Sequence, residues 1–534
     1  MRYPISIQTF ATIRNGNYVY VDKTDLVYRL AQEHVCFLSR PRRFGKSLLI
    51  STLDAYFSGR RELFHGLKMA ALEDKWEVYP VFRIDFAKGR FDVVGELEKI
   101  LEEYVSSWEA VYGKSDIYTT LSSRFQYVLE QAAAQTGHKA VILIDEYDKP
   151  LLDVLEEDLE NVNRSILKDF YGTFKAADAS LRFVLLTGVT KFSQITVFSG
   201  FNQPNDISMD SRYDAICGIT EAELHTVFAQ PISEMAKKFD YTVDEMQVLL
   251  KKQYDGYHFS NALLDVYNPF SIINAFNKMD IDNYWYKSGT PTYLVKLLEG
   301  HHVNMQKLTG RAYESQYFVD YRADAENPLA MLYQSGYLTI KGYDRHYGEY
   351  TLDYPNVEVR KGFVTLMANS YLKKDESEAA YWIVNLDRML RRGDLESVKD
   401  AFTAFLASIP YEANKDERAK DFETHFQYTF YIIFRLLSCY TTLIEKQNSK
   451  GRADVIIESD NDIYIFEFKL DGSAEEALKQ IEDKQYALPY LHDGGLTRID
   501  YLISGNATGK QNFIEKLTAQ SYLQKNSEEV KKHE

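Results

Sequence analysis

The sequence is poor in cysteine: 534 residues carry only Cys36, Cys217 and Cys439. They lie far apart, with no CxxC pair and no neighbouring histidine cluster. That argues against a disulfide framework or a zinc site and for a reducing compartment. Long apolar runs are also missing, since none approaches the roughly 18 residues of a membrane span. The opening stretch, MRYPISIQTF, lacks the apolar core of a secretory signal. These absences describe a soluble, cytoplasmic protein with no membrane partner. An excess of basic charge is lacking too. The formal net charge of −16 argues against non-specific coating of nucleic acid, but not against a local basic groove, because nuclease sites are themselves acidic.

What is present suffices for packed cores: 45% hydrophobic and 14% aromatic residues. The length suits roughly three to four domains at about 150 residues each. Residues 1–218 alternate apolar strands with amphipathic helices, the pattern of a parallel sheet covered on both faces. The strands are VCFLS (35–39), VFRIDF (81–86), AVILID (140–145) and RFVLLTG (182–188), with helices around 92–111 and 161–178. Residues 219–375 read mostly helical, punctuated by YDGYHFS (254–260) and YNPFS (267–271). Within them, 332–359 reads as a helix end and two strands, either a winged helix or an ordinary hairpin. Residues 376–420 form a charged helical connection. The last region, 421–534, opens with an apolar helix (425–437). It continues with the strands RADVIIES and DIYIFEFKL, a helix around 473–487 and the strand RIDYLIS (498–504).

Two constellations carry chemistry. RPRRFGKSLL (40–49) ends as a phosphate-binding loop ends: Gly45, Lys46 and Ser47 supply a glycine, a lysine for the outer phosphates and a hydroxyl for Mg²⁺. VCFLS is the strand before it. SLLISTLDAYF is the helix after it and offers its positive end to an anion. Arg40 stands where the pattern G-x-x-x-x-G-K-[ST] has its first glycine, so strand and loop must join differently; Pro41 pre-sets φ there. Arg42 and Arg43 add charge that can neutralise phosphate, and Phe44 and Leu48 complete the stretch. Alone, Gly-Lys-Ser is weak evidence, and a basic surface loop is a serious alternative. The strand AVILIDEYD changes the balance, because Asp145 can complete a Mg²⁺ shell and Glu146 can orient an attacking water. Thr187 ends the next strand, where it either senses the outer phosphate or closes a Thr-Gly turn. Arg212 reads as solvent-facing.

The second constellation lies in GRADVIIESDNDIYIFEFKL (451–470). Glu467 and Lys469 alternate with Phe466 and Phe468 and so share one face of a strand. With Asp454 on the neighbouring strand they form D…E-x-K, a set suited to metal-assisted phosphodiester hydrolysis. Asp454 and Glu467 would bind Mg²⁺ or Mn²⁺, and Lys469 would orient a water. Glu423 offers a further ligand, and Gln485 and Tyr486 lie on a following helix. The same residues also suit a cross-strand surface pair.

The segments YVYVDKTDLVYRL, FLSRPRRFGKSLLISTLDAYF, VILIDEYDKPL, LLTGVTKFSQITVFSGFNQPNDIS, YDGYHF and YPNVEVR closely resemble the bacterial AAA-ATPase-like proteins. In these, a P-loop ATPase is fused to a C-terminal PD-(D/E)XK nuclease-superfamily domain. The resemblance implies an α/β protein: an N-terminal P-loop NTPase parallel sheet, a helical and winged-helix-like middle, and a C-terminal restriction-endonuclease-like α/β domain. It makes RPRRFGKS an ordinary form of the loop. It assigns Lys46, Ser47, Asp145 and Glu146 to ATP and Mg²⁺, and Asp454, Glu467, Lys469 and Glu423 to the nuclease core. Nucleic acid, DNA foremost, is the implied partner.

Overall fold

A computed structural model describes residues 1–192, 204–288, 294, 309–320, 328–372, 376–394, 396–398 and 400–401. Further on it describes 433, 442–443, 447–448, 451–452, 455–458, 462–468, 479, 483–484 and 498–504. The chain divides into two compact units, Met1–Arg360 and Lys361–Glu534.

The first unit is built on five parallel strands: β1 (Val35–Ser39), β2 (Val81–Asp85), β3 (Ala140–Asp145), β4 (Leu181–Gly188) and β5 (Asn205–Asp206), in the order β2-β3-β4-β1-β5. Every residue of β3 is buried, as a strand covered on both faces requires. Helices Glu96–Tyr112, Leu121–Thr136 and Asp158–Ala176 pack successively on one another. The second starts at a Thr120–Ser123 capping box and stops at Gly137, whose φ of 72° suits a residue without Cβ. Between those ends it buries Phe125, Val128, Leu129 and Ala132, one stripe at helical spacing. Phe125 stacks on Phe170 at 5.0 Å, and each such buried ring contributes about 1.5–3 kcal/mol. Because all five strands run the same way, the C-terminal ends of β1, β3 and β4 open on one edge. That edge is where open parallel sheets bind ligands.

The helical middle belongs to the same unit. Short strands β6 (Ile219–Thr220) and β7 (Val266–Tyr267) pair antiparallel. Helices Glu221–Val227, Ala229–Phe239, Val243–Tyr254 and Pro269–Lys278 close over a core that includes Leu224, Phe228, Ile232, Leu250 and Phe276. The expected helix end and hairpin are present as Leu329–Gln334, β9 (Thr339–Asp344) and β10 (Glu349–Asp353). An unexpected third strand, β8 (Arg311–Glu314), adds to the far side of β10.

In the second unit, helix Glu376–Arg392 precedes a mixed sheet of β11 (Thr442–Leu443), β14 (Val455–Glu458), β15 (Asp462–Phe468) and β16 (Arg498–Ser504), in that order. Strands β12 (Gln447–Asn448) and β13 (Gly451–Arg452) pair separately. β14 runs antiparallel to β15 and β16 parallel to it. The three main strands are those read from sequence. The helices expected over 425–437 and 473–487 lie largely outside the described residues. No described helix is long and apolar enough to cross a membrane.

Candidate functional site

β1 ends at Ser39, and the loop 40–45 passes directly into helix Lys46–Phe57. Arg43 (φ 66°) and Gly45 (φ 94°) both adopt the left-handed conformation. Space does not demand glycine at 45, since an added Cβ would meet nothing within 4 Å; the backbone angle does. Left-handed turns followed by a helix start bring successive N–H groups together, the geometry that receives anions. Lys46 is buried, and its Nζ donates to the carbonyls of Arg40 (2.9 Å) and Pro41 (3.1 Å). Burial lowers its pKa, opposed by the charges of Asp145, Asp148 and Glu146.

The three arginines of the loop separate. Arg42 and Arg43 are exposed, whereas Arg40 is 1% exposed and turned into the fold. Its Nη1 donates to the carbonyls of Ser39 (2.9 Å) and Ser208 (2.7 Å), and its Nη2 to that of Tyr213 (3.2 Å). Its guanidinium also lies over the Phe259 ring at 4.0 Å. Arg40 therefore contributes a carbonyl to Lys46 and ties the loop to the fold with its side chain. Ser47 and Leu48, both half-buried, form the first turn of the helix.

The outer wall of the loop comes from the middle of the chain. Phe44 packs edge-on against Tyr257 (4.8 Å) and Phe259 (5.4 Å), and Arg43 lies over Phe270 at 5.1 Å. Trp285 Nε1 donates to the Arg42 carbonyl at 3.2 Å. Tyr257, Phe259 and Phe270 belong to YDGYHFS and YNPFS, which the sequence marked only as punctuation, and Trp285 lies further along the chain. Gly336, at φ 88°, seats Pro41 so closely that an added Cβ would stand 2.6 Å from the proline Cβ. Gly336→Ala should therefore push Pro41 and cost about 1–3 kcal/mol of stability, which thermal melts of the two proteins check.

Across the sheet edge, Asp145 ends β3 and is 2% exposed. Its Oδ1 accepts from Thr187 Oγ1 (2.8 Å) and from the Glu146 N–H (3.1 Å). Thr187 stands on β4 beside Leu38 of β1, so the strand between the loop and the acidic pair carries the hydroxyl that holds Asp145. Glu146 has φ 53°, a costly conformation for a residue with a side chain. Burial raises its carboxyl pKa, with Lys46 pulling the other way. Asp148, missed in the sequence reading, is buried and accepts the N–H groups of Val189 (2.9 Å) and Thr190 (2.6 Å). It bolts the turn after β3 to the turn after β4. Burial pushes its pKa up to about 6, against the Thr190 N–H and the charge of Lys46. Arg212 is exposed and paired with Asp210.

A further carboxyl, Glu358, is fully buried and accepts from Ser271 Oγ (2.7 Å) and the Trp285 N–H (2.6 Å). Burial pushes its pKa up to about 8 despite both bonds. A carboxyl raised in the folded state favours folding most below its unfolded pKa, and that contribution is lost as pH rises through the folded value. Glu358→Gln mimics the protonated acid, so its melting temperature should gain on wild type steadily between about pH 5 and pH 8. Melting curves of both proteins across that range test this.

In the second constellation, Glu467 stands on β15 opposite Ile503 of β16. Val455, which follows Asp454 in sequence, pairs with Phe466, which precedes Glu467. Asp454, Lys469, Glu423, Gln485 and Tyr486 lie outside the described residues.

A parallel sheet with a Gly-Lys-Ser loop after one strand and an Asp-Glu pair after another defines an ATPase-like α/β domain, here joined to a second α/β unit. Residues 4–198 match the AAA-ATPase-like family model, described as a predicted AAA-ATPase, and residues 421–516 match that of the PD-(D/E)XK nuclease superfamily. A protein of Azotobacter chroococcum mcd 1, described as an uncharacterized protein in the vnfD 5' region, is 36% identical over 503 residues. The match covers 92% of this chain and 94% of that protein. The chain belongs to this family of AAA-ATPase-like proteins with a C-terminal PD-(D/E)XK nuclease-superfamily domain.

Proposed function

We propose that the protein binds and hydrolyses ATP at the 40–47 loop and thereby controls a metal-dependent nuclease in its C-terminal domain, acting in the cytoplasm on nucleic acid, DNA foremost. The observation that carries this reading is the meeting of Lys46, Asp145, Glu146 and Thr187 at one edge of the parallel sheet.

The donor set fits nucleotide and a hard cation. Loop N–H groups around Arg43 and Gly45 receive phosphate, and exposed Arg42 and Arg43 add charge. Lys46 exchanges its carbonyl partners for phosphate oxygens. Ser47 and Asp145 are the residues that would hold Mg²⁺, which would neutralise charge on the phosphates. Thr187 fixes the orientation of Asp145. Glu146, raised by burial and held by a strained backbone, is the group to orient the attacking water.

At the C-terminal site, Asp454 and Glu467, with Glu423, would hold Mg²⁺ or Mn²⁺, and Lys469 would position the water that attacks phosphorus. The packing of Trp285, Tyr257 and Gly336 on the phosphate loop fits a nucleotide switch, and a second reading is such a switch whose C-terminal domain binds without cutting. Incubating plasmid and single-stranded DNA with Mg²⁺ or Mn²⁺, with and without ATP, separates the two. Cutting that Glu467→Ala and Lys469→Ala abolish and Lys46→Ala alters supports the nuclease. Tight ATP-dependent DNA binding without cutting supports the switch.

A further inference from the structure

Helix Val357–Leu372 carries the chain out of the first compact unit, whose last residue is Arg360. Its first turn bears Glu358, buried and fully engaged. One carboxyl oxygen accepts from Ser271 of helix Pro269–Lys278, and the other from the backbone N–H of Trp285. Trp285 is 5% exposed and packs edge-on against Tyr337 at 5.0 Å. Its indole N–H reaches the Arg42 carbonyl in the phosphate loop. One residue thus links the loop, through its ring, to Glu358, through its backbone.

The link acts on the part of the loop that matters for phosphate. A trans peptide holds its C=O and N–H on opposite sides. Pinning the Arg42 carbonyl toward Trp285 therefore turns the Arg43 N–H the other way, in a residue already left-handed at φ 66°. Phosphate recruits N–H groups of this loop, so occupancy and the Trp285 bond favour the same peptide orientation. An apolar ring at 285 could still meet Tyr337 edge-on; the indole N–H is the feature that this packing does not require.

We infer that Trp285 and Glu358 are positioning residues that couple occupancy of the phosphate loop to the first turn of the helix leading into the nuclease-superfamily unit. This rests on the nucleotide reading of the loop. Coupling between two sites is reciprocal, so whatever nucleotide does to the helix, the helix does to nucleotide affinity.

The test is amide hydrogen exchange over 357–372 in the full chain, with and without Mg²⁺ and a non-hydrolysable ATP analogue, alongside a direct binding titration. Nucleotide should slow exchange of the first turn in wild type by about 5- to 150-fold. Trp285→Phe keeps the ring and loses the N–H; it should still bind nucleotide but lose that protection. Glu358→Gln, which retains an acceptor for Trp285 and a partner for Ser271, should keep it. Protection in Trp285→Phe equal to wild type overturns the coupling, as does nucleotide binding to wild type without any change in 357–372. Absence of nucleotide binding in wild type overturns the reading of the loop and this inference with it.

Discussion

Lys46→Ala is expected to lower ATP hydrolysis by about 100- to 1000-fold, the effect of removing one fixed donor from developing charge in a water-poor site. The variant should nevertheless stay folded. Lys46 is buried, and burial penalises its ammonium; two carbonyls and the charges of Asp145, Asp148 and Glu146 offset that cost only in part. Groups held this way at a site trade stability for activity. The same substitution removes a cation that holds down the carboxyl pKa values of Glu146 and Asp148. Residual activity should therefore titrate at higher pH than in wild type. Phosphate release across pH, with melting curves of both proteins, reads all three effects. A loss of activity that tracks a loss of fold would instead make Lys46 a structural residue.

Arg40→Gly restores the glycine of the common phosphate-loop pattern, and it should harm the protein. The guanidinium supplies charged donors to three buried or half-buried carbonyls and stacks on Phe259. Removing it strips a charged donor from each of those carbonyls, of which Tyr213's keeps the Ile216 N–H, opens a cavity and adds backbone freedom to the unfolded chain. Together these amount to about 3–5 kcal/mol, near the top of the range for single substitutions. Arg40→Lys should recover little, because one ammonium on a flexible stem does not reproduce a planar fork. Denaturant midpoints for the three proteins decide the matter, and equal midpoints for wild type and Arg40→Gly would contradict it.

Arg40 also marks the limit of what the sequence disclosed. β1, β3 and β4 are legible because each is an apolar run bounded by polar turns, long enough for a strand and too short for a helix. The loop and the acidic pair are legible because phosphate chemistry needs those residue types in that order. Nothing in RPRR distinguishes the arginine that turns inward from the two that face water. That choice is made by Ser208, Tyr213 and Phe259, which lie far along the chain. The aromatic wall is hidden for the same reason: Tyr257, Phe270 and Trp285 meet the loop only through tertiary packing. β8 escaped notice because RAYE is short and largely exposed, with no apolar alternation to mark it. Thr187 was read as a phosphate sensor or as a Thr-Gly turn, and neither reading foresaw that its hydroxyl bonds Asp145. In the C-terminal part, β14, β15 and β16 follow the apolar runs VII, IYIF and YLI, and D…E-x-K was legible from spacing as a pattern.

The most direct measurement is a calorimetric titration of ATP, with Mg²⁺, into the full-length wild-type protein and Lys46→Ala. Saturable binding near one nucleotide per chain, lost or severely weakened in a variant that stays folded, is the expected result. No saturable binding to wild type, or equal binding to both proteins, would contradict a nucleotide site built around the 40–47 loop.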